Sequence, residues 1–109
     1  MHIIALKKHL LDDNPWIARN LYNAFEESKN RSLDRVLELS VSRYPVPWLT
    51  DYAEKLQKKF GTDLFPYGIE ETRPTLELFL QYAHEQGIAH RHAKVEEIFP
   101  EGIMVSVKV

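Results

Sequence analysis

The chain has 109 residues, so we expect one small domain that spans residues 1–109. Its hydrophobic content of 44% and charged content of 28% are typical of a soluble globular protein. The net charge of −2 argues against a nucleic-acid partner, because no basic excess is present to neutralise phosphates. The sequence has no cysteine, which excludes disulfides, and no apolar run reaches the roughly 20 residues of a membrane span.

The N-terminal segment 2–6 is predicted to be a short strand. Its sequence HIIAL is a continuous apolar run with two β-branched residues, although a buried helix segment fits a run of this length equally well. The lysines follow the apolar residues, which is the reverse of a signal peptide, so we expect a cytoplasmic location. Residues 7–13 are predicted to be a polar connector with room for one helical turn.

Two helices are predicted in the first part of the chain. Asn14 and Pro15 favour a helix start, because asparagine caps well and proline suits the first helical position. The helical spacing of apolar residues then extends to about residue 39, which predicts one long helix from Pro15. A break in this helix near Asn30 is the alternative. Pro45 and Pro47 predict an extended connector. A second helix, about 48–60, is predicted with the apolar face Leu49, Tyr52, Ala53, Leu56 and Phe60.

A third helix, about 73–86, has the clearest amphipathic pattern. Its predicted buried face, at positions i, i+3, i+4 and i+7, consists of Leu76, Phe79, Leu80 and Ala83. Gly87 is suited to end it. Because Pro74 disfavours helical backbone angles at Arg73, the helix either begins near Arg73 or carries a bent first turn at Glu70.

The C-terminal part is predicted to contain a short helix, about 93–99, followed by the tail 100–109. The tail alternates partly, with Val105, Val107 and Val109 on one side, which predicts an edge strand. The sequence therefore predicts a mostly-α fold with about four helical segments and one or two short strands. Helical spacing also predicts that the aromatic residues lie in the core; these are Trp16, Tyr22, Phe25, Trp48, Tyr52, Phe60, Phe79 and Tyr82.

Three motifs together resemble the 4,5-dihydroxyphthalate decarboxylase family. They are NPWIARxLYxAF at residues 14–25, PWL at 47–49, and PYGIE followed by TR, TLE and YAHEQG within 66–87. The resemblance extends to about Phe99, whereas the tail 100–109 does not resemble the family. It implies that the chain is the C-terminal third of an α/β fold with two lobes, similar to type II periplasmic binding proteins, in which segment 2–6 is a hinge strand.

The resemblance implies non-oxidative decarboxylation of an aromatic dihydroxy-dicarboxylate, a reaction of aromatic compound degradation. The partner of the full-length protein would be a small aromatic carboxylate. No cofactor is expected, because a hydroxyl para to the leaving carboxylate can accept the displaced charge. Since this chain supplies at most one wall of such a cleft, we expect it to be inactive in isolation, and we assign no catalytic residue.

Two other functions stay open. The chain could be a fragment of a non-catalytic protein similar to solute-binding proteins, or a helical module that acts by self-association. If the resemblance holds, several apolar faces would be built to cover a sheet that the chain lacks. We therefore expect a homo-oligomer, in which these faces cover one another.

The candidate substrate-binding residues are His2, Tyr67 and Arg73. The resemblance places His2 on the hinge strand facing the cleft, where it would bind a carboxylate or move a proton; the alternative is a terminal histidine without a role. Arg73 suits a dianionic aromatic substrate, because guanidinium binds carboxylates in a bidentate way. The alternative is an ion pair of Arg73 with Glu70 or Glu77, and a Tyr67 that packs on the loop.

A histidine-rich patch is formed by His84, His90 and His92 together with Glu85. Its spacing does not fit the usual structural or catalytic metal motifs. We therefore expect a solvated face and loop at this position, and we predict no metal site.

Overall fold

The computed structural model describes residues 3–38, 40–41 and 43–104. Every regular element in these ranges is a helix: α1 (Lys8–Asp13), α2 (Trp16–Leu37), α3 (Leu49–Phe60), α4 (Ile69–Glu85), α5 (Val95–Ile98) and α6 (Glu101–Met104). The mostly-α class is confirmed. None of these helices combines the length and the apolar composition that a membrane span requires.

The predicted strands are wrong for the residues that the structure describes. Residues 3–7 form no regular element, and residues 101–104 form α6. A strand needs a neighbouring strand to accept and donate its backbone hydrogen bonds, and the described ranges offer none. His2 and residues 105–109, which belong to the same predictions, lie outside those ranges.

Helix α4 begins at Ile69, so the alternative with a first turn around Glu70 is the one that forms. Pro74 lies inside the helix and has no N–H to offer the carbonyl of Glu70 one turn earlier. Helix α2 runs without a break past Asn30, and α3 begins one residue later than predicted. The connector 7–13 contains a full short helix, α1.

The chain groups into two compact units. Within the described ranges, unit 1 contains residues 3–22 and 67–104, and unit 2 contains residues 23–66. Helix α2 contributes residues 16–22 to unit 1 and residues 23–37 to unit 2. The expectation of a single domain over residues 1–109 stays a prediction.

Unit 1 has an apolar core on one side of α4. Leu76 and Leu80, one helical turn apart, form a buried cluster with Ile69 and with Val95 of α5. Side chains that pack against the cluster are Ala93, Phe99 and Ile103. This core joins α4 to α5 and therefore positions the segment that precedes α5.

Unit 2 has a charged group in its interior. Its buried residues among those described are Leu33, Ala53 and Lys29, and the side chain of Lys29 is only 6% exposed. The Lys29 ammonium donates to Glu26 Oε1 at 2.8 Å and to both carboxylate oxygens of Asp63 at 3.0 and 2.9 Å. A buried ammonium requires such partners, because burial without them is costly.

Most of the aromatic residues predicted for the core are exposed. At least 41% of the residue surface is accessible at seven of the eight positions: Trp16, Phe25, Trp48, Tyr52, Phe60, Phe79 and Tyr82. In α4 the reason is that the helix has two apolar sides. Leu76 and Leu80 lie on the buried side, whereas Leu78, Phe79 and Tyr82 form a second side, called here the outer face of α4.

Candidate functional site

The turn before α4 brings two of the sequence motifs together. Gly68 has φ of +105°, a value that favours glycine, and its carbonyl accepts a hydrogen bond from Thr72 Oγ1 at 2.6 Å. A Cβ atom at Gly68 would lie 2.8 Å from Glu71 Oε2 and 3.4 Å from the hydroxyl of Tyr22. Motif 14–25, which contains Tyr22, therefore meets the PYGIE motif at this glycine.

Arg73 lies at the centre of a cluster of carboxylates. Its Nη2 donates to Glu70 Oε1 at 2.8 Å and its Nη1 donates to Glu96 Oε1 at 2.7 Å. A carboxylate oxygen of Glu77 is 3.7 Å from the same Nη1. The ion pairs with Glu70 and Glu77 are the alternative that the sequence offered for this residue. A role for Arg73 in binding substrate stays a prediction.

Arg73 and its carboxylate partners Glu70 and Glu96 stabilise each other's charged forms. Hydrogen bonds from Arg73 lower the pKa of Glu70 and the pKa of Glu96 below their ordinary values. The bonds to Glu70, and then to Glu96, raise the pKa of Arg73 in turn. Because the Arg73 side chain is 30% exposed, water and dissolved anions still reach the guanidinium.

A groove of about 740 Å³ runs along α4 beside Arg73. Apolar residues of α4, Pro74, Leu78 and Leu80, form part of its lining, and residues 92–96 form the opposite wall. The charged side chains of the lining are those of Arg73, Glu77, Lys94 and Glu96, together with the imidazole of His92. The groove thus combines an apolar surface with charges of both signs.

The wall at residues 92–96 is held by the start of α5. The Glu97 carboxylate accepts hydrogen bonds from Arg91 Nη1 at 2.9 Å and from the backbone N–H of Lys94 at 2.7 Å. These contacts, the Arg91 bond above all, lower the pKa of Glu97 to about 2. Glu97 therefore stays ionised near neutral pH and caps the first turn of α5.

The structure describes Tyr67, the second candidate residue, and does not join it to Arg73. Tyr67 precedes Gly68 and is 42% exposed, but the hydrogen-bond partners of Arg73 among the described residues do not include it. His2 lies outside the described residues. The structure therefore describes two of the three candidates and joins neither to the other by a hydrogen bond.

Two histidines of the histidine-rich patch lie side by side. The ring centroids of His84 and His92 are 6.1 Å apart, and the ring planes differ by 7°. Nδ1 of His84 is 3.3 Å from the carbonyl oxygen of Ala89. Within the described part of the chain, no group of three or more His, Cys, Asp or Glu residues is arranged to hold a metal ion.

Sequence reasoning missed the ion-pair partners that are far apart in the sequence. Glu96 binds Arg73 across 23 positions, and Asp63 binds Lys29 across 34 positions. No local pattern indicates such pairs. The contact between Lys29 and Glu26 has the i, i+3 spacing of a helical ion pair, so it could have been predicted from the sequence.

The whole chain is similar to one part of a known decarboxylase. It is 28% identical over 109 residues to a 4,5-dihydroxyphthalate decarboxylase of Comamonas testosteroni. The alignment covers 100% of this chain and 33% of that protein, so the chain spans about a third of the length of the curated relative it matches. No protein-family model matches the chain, and no solved structure does. The similarity supports a distant relationship and is consistent with the chain corresponding to the C-terminal part of such a protein.

Proposed function

We propose that this chain works as the C-terminal segment of a protein that decarboxylates an aromatic dihydroxy-dicarboxylate. The observation that carries the proposal is the alignment of the entire chain with one third of a 4,5-dihydroxyphthalate decarboxylase. In that reaction the bond between a ring carbon and a carboxylate carbon breaks, CO₂ leaves, and the ring carbon takes up a proton. The product is a dihydroxybenzoate.

The chemistry requires a cation, an acid and a water-poor cleft. A cation holds the carboxylate that remains on the ring, and an acid delivers the proton to the ring carbon. The ring hydroxyl para to the leaving carboxylate accepts electron density while the bond breaks. Exclusion of water strengthens each of these electrostatic interactions.

Arg73 and the groove beside it supply the first of these requirements. The apolar lining from Pro74 and Leu78 suits the face of an aromatic ring, and the guanidinium suits a carboxylate. Glu77 is the most distant of the three carboxylates around Arg73, at 3.7 Å against 2.8 and 2.7 Å. A substrate carboxylate would therefore displace Glu77 and leave the pairs with Glu70 and Glu96 in place.

In isolation the chain is expected to be inactive. The groove lies at the surface, and three residues that line it, His92, Lys94 and Glu96, are exposed, so a carboxylate of the substrate there would remain hydrated. The acid that protonates the ring carbon would come from the two thirds of the longer relative that the alignment does not cover. Binding of the substrate and its turnover are therefore separable.

The test is a chimaera in which this chain replaces the aligned third of the Comamonas testosteroni relative. We expect the chimaera to release CO₂ from 4,5-dihydroxyphthalate. Arg73→Gln should raise KM at least about tenfold, because a charge-assisted bond to the substrate is lost. Glu77→Gln should lower KM, because a competing carboxylate is removed. The matched control is Arg31→Gln, since Arg31 is an exposed arginine whose pair with Glu27 lies in unit 2.

A folded chimaera without turnover would contradict the proposed function. If the chimaera turns over substrate but Arg73→Gln and Arg31→Gln have the same KM, the decarboxylase proposal is supported and the proposed role of Arg73 in substrate binding is wrong.

We also propose that the isolated chain self-associates. Large side chains are exposed in both units, among them Trp48 at 82%, Phe60 at 62% and the outer face of α4. In a purified sample the partner available to cover them is a second copy of the chain. Light scattering after size exclusion should give a dimer or a larger closed oligomer, and a stable monomer at high concentration would contradict this.

A further inference from the structure

Helix α3 carries an exposed row of aromatic and basic side chains, called here the α3 stripe. Its members follow the spacing i, i+4, i+7 and i+11, which is the seam of two packed helices; they are Trp48, Tyr52, Lys55 and Lys59. Trp48 precedes the helix, but its carbonyl accepts a hydrogen bond from the Tyr52 N–H at 3.0 Å, so it lies on the first turn. The two aromatic residues are 82% and 60% exposed. The α3 stripe is therefore aromatic towards its N-terminal end and basic towards its C-terminal end.

Helix α4 carries a second exposed row with the same spacing and the opposite charge. This α4 stripe consists of Glu71, Thr75, Leu78 and Tyr82. Leu78 and Tyr82, which also belong to the outer face of α4, are 46% and 48% exposed. The α4 stripe is therefore acidic towards its N-terminal end and apolar towards its C-terminal end. Each stripe spans three helical turns, about 16 Å, so the two stripes are equal in length.

We propose that the α3 stripe of one copy of the chain packs antiparallel on the α4 stripe of a second copy. The proposal rests on the self-association proposed above and names the surfaces that form it. The register pairs Trp48 with Tyr82, Tyr52 with Leu78, Lys55 with Thr75, and Lys59 with Glu71. The apolar ends of the two stripes then cover each other, and the charged ends meet as opposite charges.

The charges favour this pairing over a contact between like stripes. Among the described residues, no carboxylate pairs with Lys59 and no cation pairs with Glu71, whereas Lys55 already pairs with Asp51 at 2.7 Å. Two α3 stripes, or two α4 stripes, would leave Lys59 or Glu71 without an opposite charge. The antiparallel direction also places the negative dipole end of α3 beside the positive dipole end of α4.

The backbone at Trp48 supports a role for its side chain in a contact. Its φ of +55° and ψ of +19° are left-handed, which is a strained conformation for a residue with a bulky side chain. Strained residues of this kind concentrate where a side chain must be held in a functional position. Tryptophan is also enriched among the residues that anchor protein interfaces. The strain is therefore accounted for if the Trp48 side chain is presented to a second copy.

The first experiment reverses the charges of the Lys59–Glu71 pair in the full chain and measures self-association by sedimentation over a range of concentrations. Lys59→Glu and Glu71→Lys should each raise the dissociation constant at least about tenfold, because each variant places like charges side by side. An equimolar mixture of the two variants should associate as the unmodified chain does, since each supplies the charge that the other lacks. A contact within one chain would not be restored by mixing. The matched control is Lys58→Glu, an exposed lysine of α3 outside the stripe, which should leave association unchanged.

Trp48→Gly gives a second test that does not alter the charges. Glycine adopts positive φ without strain, so this variant should keep the Tm measured by circular dichroism and weaken association at least about tenfold. An unmodified chain that stays monomeric at all concentrations would overturn the self-association and the contact together. An oligomer with equal dissociation constants in Lys58→Glu and Lys59→Glu, or a mixture that stays dissociated, would overturn the contact alone. The decarboxylase proposal is tested separately, in the chimaera.

Discussion

The two units differ in what their interiors contain. Unit 1 buries an apolar cluster of Ile69, Leu76, Leu80 and Val95. Unit 2 buries Leu33 and Ala53, and beside them the ammonium of Lys29, among the residues that the structure describes. Unit 1 is therefore stabilised chiefly by removal of apolar surface from water, whereas unit 2 depends on the pairing of a buried charge.

The buried charge in unit 2 makes its stability sensitive to pH. Burial lowers the pKa of Lys29, but hydrogen bonds to Glu26 and Asp63 outweigh it, so the pKa is raised above its ordinary value. A raised amine pKa contributes stability that is fully present below the ordinary lysine pKa. That contribution is lost as the pH rises through the raised value. Oε2 of Glu26 is buried and has no hydrogen-bond partner in the described ranges, so one acceptor of this buried charge cluster lacks a hydrogen bond.

The largest expected effect comes from a cavity in unit 1. Leu80→Ala should reduce the free energy of unfolding by about 2–5 kcal/mol, because a buried leucine loses its contacts. Denaturant titration with hydrogen exchange of the α4 amides measures the loss. Leu78→Ala makes the same change on the outer face of α4, where 46% of the residue is exposed, and should cost less than about 1 kcal/mol. Equal losses in the two variants would refute the assignment of the buried side.

A smaller effect is expected from the charged interior of unit 2. Asp63→Asn should destabilise unit 2 by about 1–2 kcal/mol, since the Lys29 ammonium loses a charged partner while Asp63 itself is only half buried. Amide exchange in residues 23–37 would report it. Asp51→Asn breaks an exposed pair with Lys55 and should change stability by no more than about 0.5 kcal/mol. If the two variants match, the Lys29 cluster contributes no more than a surface ion pair.

The smallest effect concerns the cap of α5, in unit 1. Because the pKa of Glu97 is lowered to about 2, the contribution of its contacts is present above the ordinary glutamate pKa and is lost as the pH falls towards 2. NMR titration of the side-chain carboxyl should give a midpoint near that value. In Arg91→Gln the midpoint should rise towards the ordinary glutamate pKa. An unchanged midpoint would mean that Arg91 does not hold this carboxylate.

The sequence predicted the local structure better than the surroundings of each residue. Helix α3 was placed within one residue at its start, because Pro47 and Gly61 bound it on both sides. Leu76 and Leu80 were assigned correctly to the core, but Phe79 is 51% exposed. Helical periodicity shows which side of the helix a side chain lies on. It does not show which side packs against another part of the protein.

The candidate site shows the same limit. Arg73 was proposed as a candidate from its residue type and its place at the turn before the main helix, and the ion pairs with Glu70 and Glu77 match the alternative offered for it. Glu96 depends on the packing of α5 against α4, which no spacing in the sequence encodes. The strand at residues 2–6 was predicted from composition, although a strand also needs a partner strand.

The most direct test measures CO₂ release from 4,5-dihydroxyphthalate by the isolated chain, and by the chain mixed with the part of the Comamonas testosteroni relative that it does not cover. The proposed function predicts no turnover by the chain alone and turnover after the two pieces assemble. Turnover by the isolated chain would contradict it, and so would an assembled, folded mixture that releases no CO₂.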